Sequence, residues 1–151
     1  MTYEELLLEA DKNNLTTKEK DLHSSKGRIQ NNRIAISKRL VCSEKACVLA
    51  EELGHHYTTV GDILDQSKTE NRKQEFKARI IAYNKMIGLS GIIDSYMAGC
   101  KNRFEIAEHL NITEDFLEEA LVHYKSKYGL FTTFEEYIIY FEPLGVLKLC
   151  K

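Results

Sequence analysis

Apolar residues recur every three or four positions over most of this chain, and every second position in a few short stretches. Leu6, Leu7, Leu8 and Ala10 predict a helix over the first dozen residues, ending before Asn13 and Asn14. A polar, lysine-rich stretch follows to Lys26. GRIQ and RIAIS then alternate on either side of Asn31 and Asn32, which predicts a small hairpin with a type I′ turn. Ser43 is placed to cap a helix running to about Tyr57. A turn around Gly61 leads to a second long helix, roughly residues 69 to 87, stopped by Gly88, and Ser90 to Ala98 predict a shorter one. Asn102 caps RFEIAEHL, Asn111 ends it, and Thr113 caps a helix that reaches Tyr128 and stops at Gly129. The tail LFTTFEEYIIYFEPLGVLKLCK reads as a strand pair, although Thr133 and Glu136 also spell a capping box. The expected class is α+β, predominantly helical.

Composition narrows the class without naming an activity. The 151 residues suit one ordinary domain, and 43% apolar residues suffice for a core. With 21 Lys and Arg against 23 Asp and Glu, the net charge of −2 lacks the basic excess of a dedicated nucleic-acid binder. The acidic start MTYEELLLEADK is not expected to act as a signal peptide, and no apolar run is long enough to span a membrane as a helix. Four sparse cysteines predict a reducing cytoplasm and free thiols. Cys42 and Cys47 fit no usual zinc spacing and are expected to be structural.

The chemistry concentrates in CVLAEELGHHYTTVGD, residues 47 to 62. On a helix Glu51 and His55 sit roughly 40° apart on one face and about 6 Å along it, so both side chains can reach one metal ion. The zincin motif H-E-x-x-H uses this spacing, with its Glu as general base. Here the motif reads Glu51-Glu52-Leu53-Gly54-His55, with Glu in place of the first His. Carboxylates also ligate zinc. A second register pairs Glu52 with His56 but puts Leu53 in the base position, where it can transfer no proton. From spacing alone, a solvated helix face with two acids and two histidines is the favoured reading.

LAEELGHHYT, followed about twenty residues on by KQEFKARIIAYNKMI, resembles the ImmA/IrrE metallo-endopeptidases of phages and mobile elements. In that family the H-E-L-G-H helix is followed by one with E-x-x-A-x-x-(aromatic or apolar)-A, whose Glu is the third zinc ligand. The pattern lands on Glu75, Ala78, Ile81 and Ala82. The resemblance therefore implies zinc held by Glu51, His55 and Glu75, with Glu52 as the base. It also implies a repressor protein as substrate, cleaved in the cytoplasm to derepress the element's genes. Residues 1–99 would form the peptidase-like domain with a zincin-like helix pair, and residues 100–151 a helix pair plus a strand-rich tail on the same domain.

Two features of the residues agree with that geometry. Glu75, Ala78 and Ala82 share one helical face, and the alanines permit close approach of a neighbouring helix. Residues 41–65 carry five acids and one base, while residues 66–87 carry six bases and two acids, so the two helices attract. Glu75 would otherwise simply pair with Arg72 or Arg79. Two carboxylates on a zinc ion should acidify water less than a His2Glu site. A catalytically decayed module that only recognises a repressor is therefore the alternative reading. His23, His109 and His123 are expected to be structural or surface residues, and Tyr57 has no derivable role.

RFEIAEHLNITEDFLEEALVHY has the apolar spacing of two helices joined by a tight turn and resembles a helix-turn-helix. The helix in the recognition position opens with Glu114 and Asp115, followed by Glu118 and Glu119, and has no base until Lys125. Acid at the end that should enter the groove opposes phosphate contact. A packing or protein-recognition role is expected, and direct nucleic-acid binding is not.

Overall fold

The computed structural model describes residues 1–58 and 68–150, which form two compact units, Met1–Lys85 and Met86–Lys151. The first contains α1 (Tyr3–Lys12), β1 (Thr16–Lys20), β2 (Gly27–Gln30), β3 (Arg33–Ser37), α2 (Cys42–Thr58) and nearly all of α3 (Lys68–Met86). The second contains α4 (Gly88–Met97), α5 (Arg103–Leu110), α6 (Glu114–Tyr128), β4 (Phe131–Phe134), β5 (Tyr137–Phe141) and β6 (Leu144–Lys148). The class is α+β with two small sheets, as expected.

In the first unit α1 opens with a reciprocal cap: the Thr2 hydroxyl accepts the Glu5 amide at 3.2 Å, and the Glu5 carboxylate accepts the Thr2 amide at 2.7 Å. Leu6 and Ala10 are its buried stripe, while Leu8 faces out. The chain then turns at Asn14, whose φ is 58°, into a strand that the sequence pattern did not predict. β1 pairs in parallel with β3, and β2 pairs with the other side of β3 in antiparallel fashion. Only Thr17 and Glu19 of β1 share the face of Ile34 and Ile36, so this edge strand carries no apolar alternation to read. Asn31 adopts a φ of 55° at the hairpin turn but Asn32 does not, so the turn is not the expected type I′.

Ile34 and Ile36 turn inward against α1 and α2, whose buried residues include Leu6, Leu49, Ala50 and Leu53. Helix α2 begins at Cys42, which places Ser43 inside the first turn rather than at the cap. The turn expected around Gly61 lies outside the described residues. Cys47 is buried as expected, whereas Cys42 is exposed; no disulfide joins the four thiols.

The second unit follows the local signals closely. Asn102 accepts the Glu105 amide at 2.9 Å and Thr113 accepts the Phe116 amide at 3.1 Å, each starting a helix. Asn111 ends α5 in the left-handed region at φ 55°. Arg103 on α5 pairs with Glu118 on α6. The tail is a three-stranded antiparallel meander rather than a strand pair, and no helix forms at Thr133. Tyr137, Ile139 and Phe141 are the buried side of its central strand. No helix among the described residues is long and apolar enough to cross a membrane.

Candidate metal centre

The site is built where α2, β2 and α3 meet. Two glycines permit this approach. A methyl on Gly54 would come 2.3 Å from the carbonyl oxygen of Ala78, so α2 lies directly on the α3 main chain, where Ala78 and Ala82 are fully buried. A methyl on Gly27 would lie 2.3 Å from Val48 Cγ1 and 3.3 Å from Glu52 Oε1, so β2 lies just as closely on α2.

These contacts leave an open cavity of about 460 Å³, lined by Gly27, Arg28, Ile29 and Asn31 from the hairpin, Glu52, His55 and His56 from α2, and Glu75 from α3. Its size is ordinary for a ligand site. His55 Nε2 stands 3.4 Å from Glu75 Oε2 across the two helices, the His side chain mostly covered and the Glu side chain 58% exposed.

Glu52 is the electrostatic outlier. Burial, then the neighbouring Glu51 and Glu75 carboxylates, push its carboxyl up to about 7, against a hydrogen bond from the Ile29 amide that favours the anion. Glu52 and Glu75 on the wall, with Glu51 acting on Glu52 from outside it, outnumber the Arg28 cation beside the two imidazoles, so the formal charge around the cavity is negative.

The sequence-derived residues thus fall as follows. Glu52, His55 and Glu75 line one cavity, and His56 lies on its wall beside them. Glu51 is half-buried and is not on that wall, although its charge reaches Glu52. Among the described residues no three His, Cys, Asp or Glu side chains converge closely enough to hold a metal ion together. Imidazole nitrogen and carboxylate oxygen are nevertheless the donor types zinc takes. The excess negative charge suits a divalent cation, so the donor set fits in type and sign, with two donors already facing each other. His23 and His109 are exposed.

Four cavity residues went unread in the sequence: Gly27, Arg28, Ile29 and Asn31 belong to the hairpin, and nothing local ties them to a helix twenty residues on. Tyr57 was also missed. Its hydroxyl donates to Glu9 Oε1 at 2.6 Å and accepts from Asn13 Nδ2 at 3.0 Å. Lys85 Nζ reaches the same Glu9 oxygen at 2.6 Å. This network joins α1 to the C-terminal ends of α2 and α3, and none of its residues lines the cavity.

A family model described as Peptidase_M78, IrrE N-terminal-like domain, matches residues 6–122. No curated protein and no solved structure matches the chain.

Proposed function

The chain belongs to the IrrE N-terminal-like family of zinc peptidases, and from that premise we propose that it is a zinc-dependent endopeptidase acting on a repressor protein of a phage or mobile element. The observation that carries this reading is the cavity in which Glu52, its carboxyl pushed up by burial, stands beside the facing pair of His55 and Glu75. In this proposal His55, Glu75 and Glu51 hold the zinc. When bound, the metal supplies polarisation of a peptide carbonyl and a lowered pKa for water.

The chain's own residues supply the rest. Glu52 takes a proton onto its carboxylate from the attacking water and returns it to the departing amine nitrogen. A carboxyl held near neutrality serves both halves of that exchange. The Ile29 amide holds Glu52 against β2. Because β2 is an edge strand on the cavity wall, an extended peptide has a main-chain edge to pair with there.

One observation favours a second reading. Glu51 is off the cavity wall and no third donor converges with His55 and Glu75 among the described residues. A decayed site that binds a repressor without cleaving it would look like this. Metal analysis of protein purified without added zinc separates the two readings. The peptidase reading expects about one zinc per chain, retained in Glu52→Gln and lost in His55→Ala. It also expects cleavage, on a gel, of the repressor encoded beside its gene, abolished by Glu52→Gln. Metal-free protein, or cleavage that survives Glu52→Gln, would sink it.

A further inference from the structure

The outward face of the first unit's sheet carries four basic side chains among neutral ones and no acid. The register places Lys18, Ala35 and Arg28 in one row across the three strands, and Thr16, Arg33 and Gln30 in the next. Lys20 follows two residues after Lys18 on the same side. The opposite face carries Ile34 and Ile36, together with Glu19, which Tyr3 and Lys45 bind from α1 and α2. The helices therefore cover that side, and the sheet's acid points away from the basic one. Lys18, Lys20, Arg28 and Arg33 are exposed, and none makes an ion pair among the described residues. At the rim, Asp21 is already paired with Arg39 and Glu44 with Lys26.

Lysines on edge strands discourage unwanted strand addition. That accounts for Lys18 and Lys20 but not for Arg33, which stands on the central strand. The chemistry of a partner follows from what this face lacks. Protein partners are anchored by Trp, Tyr and Arg in desolvated pockets; this face has Arg28 and Arg33 but no aromatic anchor beside them, and the only apolar side chain in these two rows is the half-buried Ala35. Unpaired bases need aromatic platforms to stack on, and no aromatic residue lies on these strands. A phosphate backbone needs neither, because release of condensed counterions drives its binding to bare cations.

We propose that this sheet face binds the phosphate backbone of duplex DNA without regard to sequence, through Lys18, Lys20, Arg28 and Arg33. Arg28 also lines the cavity. The net charge of −2 and the acidic start of α6 are compatible with this, because neither describes the sheet. The inference does not depend on what the cavity does.

The test is fluorescence anisotropy of a labelled 20-base-pair duplex of arbitrary sequence with the full chain, titrated over a range of salt, with about four phosphates contacted giving a log–log slope of about −3.6. Replacing Lys18→Glu with Arg33→Glu should weaken binding at least tenfold. The milder pair Lys18→Gln with Arg33→Gln should bring the slope to about −1.8 while sparing the fold. The exposed Arg72→Glu with Lys73→Glu on α3 should cost less than threefold. Absent or salt-independent binding overturns the proposal. So does a larger loss from the α3 pair, or equal binding to phosphatidylserine vesicles or polyglutamate.

Discussion

Gly54 on α2 rests on the carbonyl oxygen of Ala78 on α3, with room for hydrogen and nothing larger. One residue further along α2 is His55, and one turn before Ala78 on α3 is Glu75, the pair that stands 3.4 Å apart. The spacing of the two helices at the glycine therefore fixes the spacing of the donors. Gly54→Ala gains about 1 kcal/mol of helix propensity, but the overlap with main-chain atoms cannot be relieved by a side-chain rotation. We expect a net loss of about 1–3 kcal/mol in denaturant unfolding, with a larger proportional loss of zinc affinity by competition with a chelator. A variant that keeps full zinc affinity would separate the helix contact from the donor geometry.

Glu52 makes the metal-free protein sensitive to pH in an unusual direction. Burial and the neighbouring carboxylates push its folded carboxyl up to about 7 from the 4.5 of an ordinary glutamate, so between those values the folded state binds more protons than the unfolded one. Stability must then fall as pH rises through this window, by at most roughly 3 kcal/mol from this group. Glu52→Gln keeps the shape and an acceptor for the Ile29 amide but carries no charge. In chelator, the variant should be flatter between pH 5 and 8 and more stable than the parent at pH 8. Parallel unfolding midpoints for the two proteins would show that Glu52 is not held neutral by its surroundings.

What was legible in the sequence was what one turn of chain decides. Asn102, Thr113 and Asn111 act on amides and dihedral angles within three residues, so their roles follow from their chemistry. The i, i+4 spacing of Glu51 and His55 follows from the helix alone. β1 was not legible because its inward positions are Thr17 and Glu19, and the strand exists through pairing with β3, some seventeen residues away. Glu52 looked like any motif glutamate; its burial comes from Gly27 and Ile29 of the hairpin. The side on which Glu51 falls depends on how α3 and β2 divide the surface of α2, which no spacing rule contains.

Tyr57 offers a test of the network that ties α1 to α2 and α3. Burial pushes the Glu9 carboxyl up, but hydrogen bonds from Lys85 and Tyr57 outweigh this and hold it below its ordinary value. Burial, and then the bond to Glu9, push Tyr57 up to about 12. Both shifts favour the pair of a carboxylate and a neutral phenol, so their contribution is lost below the ordinary carboxylate range and again as pH rises from 10 toward 12. Tyr57→Phe should cost about 1 kcal/mol at neutral pH. It should also reduce the alkaline loss, to which the raised Tyr3 and Tyr124 still contribute, and unfolding at pH 8 and pH 11 would read the difference from the parent. An unchanged midpoint at both values would mean that the hydroxyl contributes nothing to holding α1 against α2.

Gly27 is the corresponding contact on the strand side of the cavity. A methyl there meets Val48 Cγ1 at 2.3 Å and Glu52 Oε1 at 3.3 Å, so Gly27→Ala must move β2 off α2 or turn Val48 aside. Moving β2 stretches the bond from the Ile29 amide to Glu52, and overpacking of this kind costs about 1–3 kcal/mol. Removing the obstructing branch should restore much of the loss. The double variant Gly27→Ala with Val48→Ala should therefore be more stable than the sum of the two single changes predicts, by an interaction of about 1 kcal/mol or more. On the proposed peptidase reading, the glycine single variant should also lose cleavage through Glu52, and the double variant should recover it. Additive unfolding energies would mean that the strand, not Val48, meets the new methyl, and that the approach of β2 to α2 is set by the main chain alone.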